Sequence, residues 1–391
     1  MRVLFYRYNS ICEPDYISGF LSLGIEVAEI TEEMTNKNIT QAEVVGIVST
    51  ELKKGGVDFL FSINFYPAIS ATCQVFHIPY LCQTVDSPVF ELYAEDLKND
   101  CNHVFVFDMD QYKTFAPRNP GHVFHLPLAT NTSRWDEVIA NTSAEDKERF
   151  SCDVSFVGSL YTEKNPYDEF QGRGSYVEGF LDGVMNAQLK IYGFNFLSDI
   201  LREDVVEGFK SLTPSFYSPS ERFDVSDVEI LARNYLDAEI SVRERRDVME
   251  QLGMRFSVDL FTRSATAGLP VNDRGGCQTM TEMPVIFNRS KINLNITTKG
   301  IRDGVSLRVF DVLGCGGFLI TNYQSEISEI FVPGEDLEIY TSIEDLAEKV
   351  EYYLEHEDER KRIAQNGYKK VKEYHNHKVR IAQMLEMAFG V

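Results

Sequence analysis

The sequence has little positive charge for its size: 38 Lys and Arg stand against 60 Asp and Glu, a net charge of −22 over 391 residues. Such an excess repels phosphate backbones and anionic lipid surfaces, which excludes nucleic acid as a non-specific partner. Small phosphorylated ligands stay open, because backbone amides and a few local cations hold a diphosphate whatever the global charge. Long apolar runs are also missing. Stretches such as residues 104–107 and 318–320 fall far short of the roughly 20 residues that cross a bilayer, so no transmembrane segment is expected. The start, Met1-Arg2-Val3-Leu4-Phe5-Tyr6-Arg7, is too short an apolar run for a secretory leader and reads as a first strand. Cysteine is scattered: Cys12, Cys73, Cys82, Cys101, Cys152, Cys277 and Cys315 form an odd set with no Cys-x-x-Cys pair. That excludes a disulfide framework and a zinc site, and a reduced, cytoplasmic location fits best. Trp135, the single tryptophan, reads as a packing residue near an interdomain linker.

What is present is an ordinary globular composition, 43% hydrophobic and 25% charged. The length corresponds to about 2.6 average domains. The first third alternates short apolar runs (residues 3–6, 26–30, 57–63, 80–85 and 104–107) with amphipathic stretches such as 16–23. Uninterrupted apolar strands between helices imply a parallel sheet covered on both faces. A polar stretch at residues 140–147 marks a domain boundary. A second strand and glycine turn begin at Cys152, residues 165–253 read as a mainly helical insertion, and strands resume at 256–261, 291–295 and 317–321. Ser342 with Asp345 starts a helix whose apolar positions are Ile343, Leu346, Ala347, Val350 and Leu354. The expected plan is two α/β domains, 1–140 and 151–375, with 376–391 a terminal helix that packs back on the first. No internal repeat is visible.

The segment from Gly300 to Gly317 carries the most chemistry: a glycine-bearing loop, a short helix, then the apolar strand Phe318-Leu319-Ile320. Such a loop brings amides against a phosphate, with the positive end of the helix dipole behind them. Arg308 supplies charge. Asp311, three residues on and on the same helix face, can accept both hydrogen bonds of a ribose diol. Asp303 lies eight residues before Asp311 in the loop. On physical grounds alone the same residues also fit an ordinary capped helix with a solvated Arg–Asp pair.

This segment resembles the donor-sugar loop of group 1 glycosyltransferases, whose motif is Glu-x7-Glu, a small-residue helix end, Gly and a strand. The runs Ser290-Lys291-Ile292-Asn293-Leu294-Asn295-Ile296-Thr297, Ser306-Leu307-Arg308-Val309-Phe310-Asp311 and Cys315-Gly316-Gly317-Phe318-Leu319 are closer still to the CgeB-like branch, that of a spore maturation protein. The similarity is strong from about residue 256 onward and looser in the first domain, through Val85-Asp86-Ser87-Pro88 and Phe105-Val106-Phe107-Asp108. The resemblance implies a GT-B fold: two Rossmann-like domains facing a cleft, with the sugar nucleotide on the C-terminal domain and the acceptor on the N-terminal one. It implies that Asp311 holds the ribose and Asp303 the donor-sugar hydroxyls. Gly304, Val305, Ser306 and Leu307 would line the diphosphate or sugar, with Asn295 at the preceding strand end. Both acids are Asp where the wider superfamily has Glu, which sets each carboxylate back by one methylene. A second match, Val157-Gly158-Ser159-Leu160-Tyr161-Thr162-Glu163-Lys164, resembles the family's Val-Gly-Arg-Leu-x-x-x-Lys pyrophosphate turn. Lys164 keeps its place, Ser159 replaces the Arg, and Arg308 or Arg263 is the stand-in cation.

An inverting transferase also needs a base for the acceptor hydroxyl. Asp86, after the strand that ends at Val85, is the first choice, although an Asp at that place can equally cap the following turn. His77 and His125 are the alternatives, and Asn64 and Tyr66, with Asp86, are the expected acceptor contacts. Asp108-Met109-Asp110 mimics a metal motif of a different architecture and is discounted, so no metal or cofactor is expected beyond a nucleoside diphosphate sugar, UDP-linked by preference, as co-substrate. The expected activity is sugar transfer to a hydroxyl of a glycan, protein or surface polysaccharide. A sugar-nucleotide epimerase of the same fold and a non-catalytic sugar-binding subunit stay open as alternatives.

Overall fold

The computed structural model describes residues 1–163, 165–170, 172, 175–220 and 222–390. The chain forms two compact units: Met1–Thr130 with Pro219–Asp224 and the tail from Tyr374, and Asn131–Ser218 with Val225–Glu373.

The first unit is built on a six-stranded sheet of β1 (Arg2–Tyr6), β2 (Glu26–Ile30), β3 (Phe59–Ile63), β4 (Tyr80–Gln83), β5 (Asn102–Val106) and β6 (Val123–His125). The order is 2-1-3-4-5-6 and every pair is parallel. All of β3 and β4 is buried, which is why these strands read as continuous apolar runs without alternation: helices cover both faces. The chain moves outward from β1 to β2 and then returns to β1's other side at β3. This reversal makes a switch point at the carboxyl ends of β1 and β3, where open α/β sheets bind ligands. The terminal helix His377–Phe389 packs on the helix Glu13–Ser22. The approach is close enough that a Cβ on Gly19 would lie 2.4 Å from the Ile381 side chain, and the His377 ring meets Tyr16 edge-on at 4.8 Å.

The second unit repeats the plan with β7 (Val154–Val157), β8 (Val258–Phe261), β9 (Asn272–Asp273), β10 (Ile292–Asn295), β11 (Leu319–Asn322) and β12 (Glu338–Tyr340). Their order, 12-11-10-7-8-9, is again wholly parallel, and the switch point falls between β7 and β10. Its core joins Val154, Phe156, Leu260, Leu294 and Ile320 from the sheet to Val248 and Leu252 of the helix Asp237–Gly253 and to Leu346 and Val350 of Ile343–Glu355. The latter helix is capped as its sequence predicts: Ser342 Oγ accepts the Asp345 amide at 3.1 Å. Among the described residues no helix is long and apolar enough to cross a membrane.

Two boundaries differ from expectation. The change of unit comes at Thr130, ahead of residue 140, because the helix Thr132–Asn141 buries Trp135 and contacts the helix Met283–Arg289 of the second unit. Within the helical insertion, 219–224 belongs to the first unit. Its Asp224 amide bonds the Tyr93 carbonyl at 2.9 Å, and Arg222 forks onto both Asp96 oxygens at 2.8 and 3.0 Å. The short strands β9 and β12 were not legible, because two or three residues carry no periodicity.

Candidate functional site: the carboxyl edges of the two sheets

In the second unit the loop 296–306 is tied down from several sides. Asn295, buried at the end of β10, donates from Nδ2 to Thr297 Oγ1 (3.0 Å), Thr321 Oγ1 (2.9 Å) and Ser306 Oγ (3.3 Å). The Thr297 amide donates to Asn322 Oδ1 at 2.7 Å. Gln324 Nε2 reaches the carbonyls of Ile301 (3.0 Å) and Gly304 (3.3 Å), and Ser325 Oγ donates to Asp303 Oδ1 at 3.0 Å. Asn295 thus anchors the loop, while Asp303 is held at its tip and half-buried.

The helix Leu307–Gly314 starts at Ser306, whose extended backbone is that of an N-cap but whose side chain makes no capping bond. No side-chain cap therefore takes the amides of its first turn, although the Val309 amide bonds the Ser306 carbonyl at 3.1 Å. Asp311 is buried one turn in, and its Oδ2 lies 3.8 Å from Arg308 Nη1. Arg308 stays half-buried over the Phe287 ring at 5.2 Å, with Nη1 against the Met283 sulfur. The helix ends on Gly316 (φ 73°), whose amide bonds Leu313, while the Gly317 amide bonds Val312; this left-handed exit turns the chain into β11 within two residues.

Arg245, on the buried face of Asp237–Gly253, joins the two switch-point strands. Nη1 donates to the Ser159 carbonyl (2.5 Å) after β7 and Nη2 to the Ile296 carbonyl (2.6 Å) after β10. The guanidinium stacks on Tyr161 at 4.3 Å, and burial draws its pKa down from the ordinary value. Beside it Lys299 Nζ pairs with Glu244 at 3.0 Å and sits over the Tyr192 ring. Asp237 faces Arg302 at 3.8 Å and accepts from Asn195 at 2.7 Å; burial outweighs those partners and lifts its carboxyl to about 6.

Gly158 and Ser159 stand where expected, at the end of β7. Ser159 Oγ donates to Glu163 (2.8 Å), which also accepts from Ser264 (2.8 Å). Burial raises the Glu163 pKa, and these hydroxyl hydrogen bonds outweigh it, so the carboxyl is held below its usual range. Arg263 is exposed after β8, against the loop at Gly276. Lys164 lies outside the described residues. Sequence reasoning missed Arg245, Lys299 and Gln324. The available signal was a run of charged and hydroxyl residues (Asp237, Ser241, Glu244, Arg245) sharing a helix with buried Ile240, Val248 and Leu252.

In the first unit, Asn64, Tyr66 and Asp86 come together in a cavity of about 390 Å³ at the carboxyl ends of β1, β3 and β4. Asn64 adopts a left-handed backbone (φ 59°), which its side chain stabilises: Nδ2 donates to Asp86 Oδ2 at 2.7 Å and Oδ1 accepts the Val85 amide at 3.0 Å. Tyr8, Phe65 and Tyr66 supply aromatic walls, Glu33, Asp86 and Glu91 the charge, and no Lys or Arg lines it. Burial pushes the Tyr8 phenol up to about 12. His77 is not part of this group: it ends the helix Pro67–Phe76 and leads into the amino end of β4, the opposite edge of the sheet. His125 closes the edge strand β6 and does not line the cavity. Asp108 is buried and caps the helix Met109–Phe115 through the Asp110 amide at 3.1 Å. Among the described residues no cluster of three His, Cys, Asp or Glu could hold a metal ion.

Two parallel six-stranded doubly wound units on one chain define the GT-B fold. Comparison with solved structures agrees. Anabaena HepE in complex with UDP-glucose matches with a TM-score of 0.57 at 11% identity, covering 100% of both chains. Sucrose-phosphate synthase from Thermosynechococcus elongatus matches at 0.53 and 11%, covering 100% of this chain and 99% of that one. A glycosyltransferase from Rickettsia africae matches at 0.50 and 10%, with 100% and 99% covered. Residues 245–386 match the family described as glycosyl transferase-like, a span that opens on Arg245 and includes the whole 296–317 segment. No curated protein matches.

Proposed function

We propose that the protein is a glycosyltransferase of the group 1 type, on its CgeB-like branch, that moves a sugar from a UDP-sugar to a hydroxyl of a glycan, protein or surface polysaccharide. The observation that carries this reading is the Asp303/Asp311 loop-helix, braced against the β7–β10 switch point inside the span that matches the glycosyl transferase-like family. HepE, a structural neighbour, was solved with UDP-glucose, which supports a UDP-linked donor.

In this reading the Leu307 and Arg308 amides at the start of Leu307–Gly314 and the Arg308 side chain hold the diphosphate, where negative charge grows as the glycosidic bond breaks. Asp311 accepts from the ribose diol. Asp303, fixed by Ser325, accepts from hydroxyls of the donor sugar. The Arg245 side chain places the Gly158–Ser159 turn and keeps β7 and β10 in register. On the acceptor side, aromatic walls and carboxylates suit a neutral, hydroxyl-rich acceptor and repel an anionic one. Asp86, oriented by Asn64, takes the proton as the acceptor oxygen bonds the anomeric carbon and UDP departs. Incubation with UDP-sugars and a glycan acceptor panel tests the proposal. UDP release that depends on acceptor supports it; conversion of the donor to its epimer without acceptor, or binding with no turnover, refutes it.

A further inference from the structure

A cavity of about 660 Å³ lies at the amino ends of β7, β8, β10 and β11, the edge of the second sheet opposite the Asp303/Asp311 loop. Its charge is unusual for a chain of net −22. Three carboxylates line it and each is already paired: Asp153 with Lys291 at 2.7 Å, Asp259 with Arg274 at 2.7 Å, and Glu357 with Lys361. Two guanidiniums that line it, Arg289 and Arg360, have no carboxylate partner among the described residues. Arg360 is only 6% exposed, and its one hydrogen bond runs from Nη1 to the Tyr353 carbonyl at 2.6 Å, so the rest of the fork is left to the cavity.

Burying a guanidinium without a counterion is costly. Burial draws the Arg360 pKa down, with only the more distant charges of Glu357 and Asp153 opposing it. Three neutral side chains around the cavity donate elsewhere, Asn288 Nδ2 to the Cys315 carbonyl, Ser290 Oγ to Ile286 and Ser151 Oγ to Lys147, while Ser257 Oγ accepts from Asn272 Nδ2 at 3.1 Å. The charged hydrogen-bonding capacity that remains without a partner of opposite sign is cationic, on Arg289 and Arg360. The helix Glu357–Tyr374 also begins at this cavity, but Glu357, Asp358 and Glu359 in its first turn offset the positive end of its dipole, so the two guanidiniums carry the charge of the site.

We propose that this cavity is a second ligand site, separate from the donor half, that takes a small phosphate-bearing metabolite on the Arg289 and Arg360 guanidiniums. Forked guanidinium donors match phosphate oxygens two at a time, and the volume falls in the range of about 300–1,000 Å³ usual for small-molecule sites. The site's position, at the amino edge of the sheet, keeps its occupant apart from the Asp303/Asp311 loop at the carboxyl edge.

The test uses the full chain, with inorganic phosphate and a hexose 6-phosphate as probes, titrated calorimetrically with and without saturating UDP. The expected result is hexose-phosphate binding that persists with UDP present and weakens about 10-fold in Arg289→Ala and more in Arg360→Met, the loss of one charge-assisted contact each. Arg289 is exposed, so its variant stays informative if Arg360→Met fails to fold. Absence of binding by either probe at millimolar concentration, displacement of the probe by UDP, or affinity unchanged in Arg289→Ala overturns the proposal. A donor half that fails to bind UDP leaves the UDP-free titration, and so this result, intact.

Discussion

Replacing Asp311 by Asn isolates one contact of the proposed donor site. The side chain is buried, 3.8 Å from Arg308, one turn into a helix whose other buried positions are apolar or glycine. Asn has the same shape, so packing around Phe310 and Leu313 is unaffected, and the Asp311 carbonyl still accepts the Cys315 amide. What changes is the acceptor. A carboxylate takes both hydroxyls of a ribose diol, whereas an amide offers one neutral oxygen. Hydrogen bonds to a charged group contribute about 1.5–3 kcal/mol, so UDP affinity should fall about 10- to 100-fold at 1.4 kcal/mol per decade. Calorimetric titration of wild type and variant with UDP and with 2′,3′-dideoxy-UDP reads the contact directly. Wild type should prefer UDP by that factor, and the variant, left with one neutral acceptor, by about 10-fold at most. A folded Asp311→Asn protein that still prefers UDP as strongly as wild type refutes the ribose assignment.

Other expectations follow from the same geometry. Arg245→Met strands the Ser159 and Ile296 carbonyls; it should cost about 3 kcal/mol or more in urea unfolding, and wild-type stability would contradict the bracing role. Asp86→Asn keeps the Asn64 hydrogen bond but removes the base, so turnover should fall about 10²- to 10⁴-fold with KM for the donor little changed; full activity would exclude Asp86. Asp237 carries its pH effect in stability: its folded value of about 6 exceeds the unfolded one of 3.8, so its contribution is full below pH 4 and is lost as pH rises through 6. Between pH 5 and 8 the wild type should lose about 1.4 kcal/mol relative to Asp237→Asn, read from urea midpoints at both pH values. Parallel curves would show that Asp237 does not titrate there.

How much was legible in the sequence depended on the range of the interaction that decides each feature. The strand Phe59–Ile63 is fully buried, so its largely apolar run announced it, whereas Ile292–Asn295, equally buried, alternates Ile and Leu with two asparagines. The Asp303–Asp311 spacing is local, and the helix placed Asp311 next to Arg308 as the spacing requires. Arg245 was hidden because its meaning comes from two carbonyls distant in sequence and from a helix that read as an insertion. The boundary at Thr130 was hidden for a similar reason: the polar run at 140–147 marks exposure, whereas the unit changes where Trp135 finds its packing. His77 borders a strand in sequence, as Asp86 does, but at the other end of it. Only strand direction, fixed by the parallel pairing, separates the two.

The central claim is that the β7–β10 edge holds a nucleoside diphosphate. A thermal-unfolding panel of UDP, GDP, dTDP, CDP and CMP tests it most directly, since a ligand at 100 times its dissociation constant adds about 2.7 kcal/mol of stability. The account predicts a clear upward shift with UDP that disappears in Arg308→Ala. No shift with any of the five nucleotides, or a UDP shift that survives Arg308→Ala and Asp311→Asn unchanged, would contradict it.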